Sequence, residues 1–397
     1  MNMYRQLYKI PSVLMRGGTS KGLILKDHDL PEDEEVREKV ISSIFGSSAN
    51  GQIDGVGGGT PLTSKLAIVG PSNESAYDIF YKFGQVSVSN QSIDYKVTCG
   101  NMASAVGLFA LEEGMATLKE PVTTVKILNT NTNRIMEVDI EVKDGKIVRD
   151  GDFKISGVSG TAAPIMVNFL DFGGSITGST LPTGNPVDSI KLDDGFEVEV
   201  SILDVGNILV FVAAKDFGLE GYELSDVFNF DTSLKNKIEK VRVKCGRLLG
   251  LFDADEHVTP ETHALPKIVL ISSARDYIDE NDEQISVKDI NIVGRYIAMG
   301  TLHRAFAVSG AIGLGVAGKI PGTIPNKFMK ENHEGSITIG HPTGSILVNV
   351  KLSTNNGKWV VEKAGIGRTA RRLMDGNAYV PFEVTKNLEM GKLNEAY

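Results

Sequence analysis

TCGNMASAVGLFALEEG, Thr98–Gly114, is the stretch on which the reading of this chain turns. Cys99, Gly100 and Asn101 open it, and the run Met102–Leu111 is small and apolar on every side, with no charge before Glu112. A surface helix shows a polar face, whereas a helix apolar all round belongs in a core. The pattern therefore predicts a buried helix with a thiol at its mouth. Backbone amides and the positive end of the helix dipole favour a thiolate there and bind anions. A buried cysteine that only packs is the plainer alternative.

Working outward, the second half holds an echo: Ala307–Ile320, AVSGAIGLGVAGKI, is again small and apolar and is led by Ser309-Gly310. Two halves, each with strands around one unusually apolar helix, suggest an α/β (α+β) chain with a duplicated architecture, although no short solenoid period is present. Strand patterns fall at Lys9–Leu25 (two strands about a turn), Leu66–Val69, Ile79–Val88, Ile93–Val97, Val122–Leu128, Ile135–Val142 and Lys146–Arg149. Further strand patterns fall at Phe196–Leu203, Ile208–Ala213, Ile268–Ile271, Ser336–Ile339 and Ile346–Leu352. Helical spacing predicts helices within Leu30–Phe45, Asn236–Leu249 and Val287–Ile297. The Gly/Ser/Thr/Pro-rich stretch Gly151–Gly184 places the boundary near Asn185, giving domains 1–185, with Lys65 and Cys99, and 186–397, with the second apolar helix 307–320.

The chain has 397 residues and a formal net charge of −9, which argues against a general nucleic-acid binder. Local arginines and helix N-termini still permit an anionic substrate. Cys99 and Cys245 are the only cysteines, too few for a disulfide scaffold, so a cytoplasmic setting is expected. Met1–Gly18 lacks the apolar core of a signal peptide and no run reaches membrane-spanning length, so no membrane partner is expected.

Several templates fail. Gly17–Gly22 and Gly57–Lys65 are glycine-rich and contain Ser-Lys, but neither ends in the Gly-Lys-Ser/Thr of a phosphate loop. There is no H-E-x-x-H or C-x-x-C, so no metal site is expected, and no G-x-G-x-x-G is convincingly placed between strand and helix. What remains is a thiol, an amine and several cations. Lys65 stands where a glycine loop enters a strand. Arg16 lies in a donor-dense loop with Thr19 and Ser20. Arg368, Arg371 and Arg372 crowd Gly367–Gly376, and a helix there would put Arg368 and Arg372 on one face. Arginine forks recognise carboxylates, though a basic surface is an equally ordinary reading. Cys245 falls in an amphipathic helix pattern and reads as core.

Taken in order, MRGGTSKG (15–22), DGVGGGTPLTSK (54–65), CGNM (99–102) and GRTARRLMDG (367–376) resemble the 2-methylaconitate cis-trans isomerase family, which includes methylitaconate Δ-isomerase and oxalomesaconate tautomerase. The resemblance covers nearly the whole chain. It implies the diaminopimelate-epimerase-like fold: two similar domains, each a curved, mostly antiparallel sheet around a central helix, with the active site in the cleft between them. Epimerases of that fold use a cysteine at each central helix. Here the first motif stands as Cys99-Gly100-Asn101, whereas the second helix begins with Ala307 and Ser309 and no thiol, which disfavours a two-thiol racemase. In the isomerase family the second proton-handling group is a lysine, which maps onto Lys65.

The expectation is a cofactor-independent double-bond migration by proton transfer in a small unsaturated di- or tricarboxylic acid, with Cys99 and Lys65 catalytic. Substrate carboxylates would meet Thr19, Ser20, Gly100, Asn101 and Met102, then Ser309-Gly310 across the cleft, Arg16 and Arg368. A homo-oligomer, dimer or tetramer, is expected. Two competing readings are a non-catalytic assistant to an iron–sulfur dehydratase, for which a lone thiol is a poor cluster scaffold, and amino-acid epimerisation.

Overall fold

The computed structural model describes residues 7–47, 51–95, 99–170, 172–253, 255–259, 263–298, 300–330 and 335–385. The chain forms two compact units. The first combines Met1–Val167 with Arg368–Tyr397, and the second is Asn168–Gly367.

In the first unit the principal strands are β1 (Leu7–Gly17), β2 (Ser20–Lys26), β3 (Lys65–Pro71), β4 (Ile79–Val86), β5 (Val122–Asn129), β6 (Arg134–Lys143) and the returning β15 (Ala370–Pro381). They pair in the order β15-β1-β2-β3-β4-β5-β6, antiparallel except for the parallel pairs β2–β3 and β4–β5. Helix α1 (Glu34–Phe45) joins β2 to β3, and α2 (Gly100–Glu112) lies between β4 and β5. The Asp33 carboxylate caps α1 by accepting the Val36 N–H at 2.9 Å, and Gly46 closes it in the left-handed region at φ 67°.

The second unit repeats the plan. Its principal strands are β7 (Asp188–Lys191), β8 (Glu197–Asp204), β9 (Ile208–Ala213), β10 (Lys267–Ser273), β11 (Ile292–Ala298), β12 (Ser336–His341), β13 (Gly344–Asn355) and β14 (Lys358–Arg368). From β7 to β13 they pair in chain order with the same senses as the first unit, the parallel pairs being β9–β10 and β11–β12, and β14 adds antiparallel to β13. Helix α3 (Thr232–Leu248) lies between β9 and β10, and α4 (Val308–Lys319) between β11 and β12.

Each sheet has two covered faces. Leu23, Leu25, Leu66, Ile68 and Val86 pack on Val40, Ile41, Ile44 and Phe45 of α1. Side chains alternate along a strand, so the intervening residues turn the other way, toward α2. All of Met102–Leu111 is buried, and α2 touches each of the strands β1–β6 and β15, so the sheet wraps the helix. In the second unit Gly310–Gly318 of α4 is buried in the same manner. This is the architecture that the family resemblance implies, two units each with a sheet around a central helix, and both apolar helices lie where the all-round apolar pattern puts them. Among the described residues no helix is long and apolar enough to cross a membrane.

Three expectations change. The contact boundary falls at Val167/Asn168 rather than near Asn185, and the C-terminal strand belongs to the first unit because β15 pairs along the length of β1. Val287–Ile297 is not helical: Ile292–Ala298 is strand β11, held between β10 and β12, and pairing on both sides overrides the helical spacing. Gly367–Gly376 is extended as well, so Arg368 and Arg372 do not share a helix face. Of the strand expected over Ile93–Val97, Ile93–Asp94 is formed, and residues 96–98 lie outside the described residues.

Candidate active site

Lys65 is the first residue of β3, and alternation with the α1-facing Leu66 and Ile68 sends its side chain to the α2 side. By the same rule Tyr81, Phe83 and Gln85 of β4 face α2, opposite the α1-facing Val86. Lys65 and Gln85 are direct cross-strand partners. Lys65 Nζ donates to Gln85 Oε1 at 2.5 Å and lies 5.5 Å from the centre of the Phe83 ring. The glycine loop before β3 is filled by a buried glutamine: Gln52 Oε1 accepts from Ser64 Oγ at 2.6 Å and from the Gly59 N–H at 3.0 Å.

Cys99 is the N-cap of α2. Its backbone is extended (φ −138°, ψ 102°), its carbonyl accepts the Ala103 N–H, and its side chain makes no capping bond. The thiol is partly exposed, while the next turn sinks into the core. The amides of Gly100, Asn101 and Met102 stand in the first turn, where helix geometry provides no acceptor within the helix.

Asn101 organises this entrance. Its Nδ2 donates to Thr19 Oγ1 at 3.0 Å and Ser20 Oγ at 3.3 Å, and its Oδ1 accepts from Arg368 Nε at 2.8 Å. Each hydroxyl used as an acceptor keeps its own hydrogen for another partner. The β1–β2 turn must come very close for this. Gly18 sits at φ +51°, and a Cβ there would stand 2.2 Å from Asn101 Oδ1. Arg16 Nη1 ties the turn down, donating to the carbonyls of Gly18 (3.0 Å) and Thr369 (2.9 Å). These two bonds hold the turn that carries Thr19 and Ser20.

The electrostatics agree with this grouping. Burial pushes the Arg368 pKa down to about 10, opposed by the nearby Cys99, so Arg368 remains cationic at neutral pH. Tyr81 is raised well above the ordinary phenol range by burial and then by Cys99. Its hydroxyl is buried and has no hydrogen-bond partner among the described residues. Held neutral, it remains a hydrogen-bond donor on the α2 side of the sheet.

In the second unit Ser309 lies in the first turn of α4 and its Oγ accepts from Asn207 Nδ2 at 2.7 Å, while Gly310 packs on the Tyr296 ring. Cys245 is buried in α3 as expected, its pKa raised to about 12 by burial. Arg372 pairs with Glu112 and Glu113 at the far end of α2, and so belongs to helix support. Among the described residues no three of His, Cys, Asp and Glu converge as metal ligands would. Thr19, Ser20, Asn101 and Arg368 are bonded together at the mouth of α2, and Lys65 lies on the sheet face that turns to that helix. Gln52, Tyr81 and Gln85 were missed by the sequence reading. Only Gln52, inside a glycine-dense loop, carried a local signal.

The chain is similar to known proteins over nearly its whole length. The chain is 43% identical to 3-methylitaconate isomerase of Eubacterium barkeri, covering 94% of this chain and 97% of the relative. It is 32% identical to 2-methyl-aconitate isomerase of Shewanella oneidensis, covering 94% and 97%. A crystal structure of methylitaconate-delta-isomerase superposes with a TM-score of 0.86 at 43% identity, over 95% of this chain and 97% of that one. The PrpF protein family model matches residues 7–381, and the chain belongs to that family.

Proposed function

We propose that this isomerase moves a C=C bond in 3-methylitaconate or a close unsaturated di- or tricarboxylic acid, with Cys99 and Lys65 as its proton-handling pair. The observation that carries the reading is the placement of Cys99 as the N-cap of α2 with Lys65 on the sheet face that packs on the same helix.

One of the pair removes an allylic proton and the charge spreads into a carboxylate-conjugated dienolate. The other returns a proton at a different carbon. Such transfers contribute about 10²–10⁴-fold each when the groups are positioned. The dienolate needs positive charge and donors close by. Arg368, fixed by Asn101, supplies the charge. The hydroxyl hydrogens of Thr19 and Ser20 and the first amides of α2 supply donors to substrate carboxylates.

The test incubates purified protein, with chelator present, with 3-methylitaconate, 2-methylaconitate and 4-oxalomesaconate in turn, following ultraviolet absorbance and deuterium uptake by NMR. Conversion of 3-methylitaconate with the highest kcat/KM supports the reading. Preference for one of the other two moves the substrate assignment, and turnover of none removes the proposed activity.

A further inference from the structure

We propose that Gln85 is a positioning residue for Lys65, coupling the glycine loop to the amine that handles the proton. This rests on the reading that Lys65 is one of the pair.

Lys65 Nζ meets Gln85 Oε1 across β3 and β4. A glutamine amide can be turned either way, so its orientation has to be argued from its partners. Gln85 Nε2 donates to the carbonyls of Pro61 (3.1 Å) and Ser64 (3.2 Å), and carbonyls can only accept. Turning the amide over would set Oε1 against both carbonyls and present an NH₂ to the lysine. One orientation therefore satisfies all the partners. Pro61 and Ser64 end the glycine loop, whose shape is held in turn by Gln52 through Ser64 Oγ and the Gly59 N–H. The chain of contacts runs from the loop, through Gln85, to the amine, and the Phe83 ring lies beside Nζ.

The choice of an amide has chemical content. A proton-transfer lysine must pass between its charged and neutral forms. A carbonyl oxygen accepts from NH₃⁺ and from NH₂, so it aims the amine in both. A carboxylate at the same place would favour the charged form. On the α2-facing positions of β3 and β4 the other ionisable group is Tyr81, with Cys99 and Arg368 at the helix entrance. Gln85 is the neutral polar group among them.

The test uses Gln85→Met and Gln85→Glu in the full chain, with near-ultraviolet circular dichroism confirming the fold. Gln85→Met should lower kcat at least about tenfold with KM changed less than about threefold, because the amine loses its aim rather than the substrate its binding. In Gln85→Glu, Lys65 should react with an amine-directed reagent at neutral pH about tenfold more slowly, read by mass spectrometry, as a stabilised ammonium would. Wild-type kcat in Gln85→Met, or unchanged Lys65 labelling in Gln85→Glu, overturns the proposal. If Lys65→Ala keeps its turnover, the proton role fails. Slower Lys65 labelling in Gln85→Glu would then still support the contact by itself.

Discussion

The two units share a strand order and pairing senses, but the entrances to their central helices carry different chemistry. The equivalent strands of the two units begin with a lysine, Lys65 in β3 and Lys267 in β10. Both units bond a side chain in the first turn of the central helix to the hairpin beside it, Asn101 to Thr19 and Ser20, and Ser309 from Asn207. The first unit adds a thiol, a cation and a neutral acceptor for its lysine. The second has Ala307 at the N-cap of α4, and Arg242 joins burial in depressing Lys267. A duplicated scaffold therefore holds the proposed proton-transfer pair in one copy and only the geometry of the entrance in the other.

The largest effect should come from removing that pair. Cys99→Ser and Lys65→Ala should each lower kcat by about 10²–10⁴-fold with circular dichroism unchanged. The matched change Lys267→Ala should leave kcat within about threefold. Equal losses from Lys65→Ala and Lys267→Ala in steady-state assays would break the comparison.

Next in size is the Arg368–Asn101 bond. Arg368→Met should reduce kcat/KM by about 10–100-fold and cost about 1.5–3 kcal/mol in urea unfolding, the range of a hydrogen bond to a charged group. Asn207→Ala, which strips the matching bond from Ser309, should cost about 1 kcal/mol with kcat nearly unchanged. A double-mutant cycle of Arg368→Met with Asn101→Ala that shows no coupling would contradict the role given to Asn101.

The turns offer a third contrast. Gly18 (φ +51°) presses on Asn101 Oδ1, and Gly206 (φ +66°) presses on the Phe172 ring. Alanine at either should cost about 1–3 kcal/mol through backbone strain. Only Gly18→Ala should also lower kcat, because only that turn carries the hydroxyls bonded to Asn101.

What the sequence disclosed follows the same division. Met102–Leu111 and the run after Ser309 are apolar all round, so both central helices could be read locally. The placement of Lys65 at a strand start and of Cys99 at a helix mouth could be read because a glycine loop and a Cys-Gly-Asn opening mark them. Gln85 and Tyr81 could not, since their importance comes from the register of β4 against β3 and from packing against α2. The strand at Ile292–Ala298 was hidden for a related reason: its apolar residues fit a helical period until two neighbouring strands claim them. The bond from Arg16 to Thr369 was out of reach as well, because its partner lies 353 positions away.

The smallest effect lies at the far ends of the helices. Helix α4 ends favourably, with Lys319 Nζ donating to the carbonyls of Gly335 and Val350. Helix α2 ends with Glu112 and Glu113, the wrong sign for a C-terminus, and Arg372 and Lys26 offset them. The hydrogen bond from Lys26, with a further one from Arg372, holds the Glu113 carboxyl below its ordinary pKa against the opposing effect of burial. A carboxylate depressed in the folded state adds stability that is present above its unfolded pKa and is lost as pH falls through the folded value. Arg372→Met should therefore cost about 1 kcal/mol at pH 7. The gap from wild type should narrow as urea titrations move below the usual carboxylate range. A gap constant from neutral to acid pH would assign Arg372 to packing, where its guanidinium lies 5.6 Å from the Phe109 ring centre, rather than to charge.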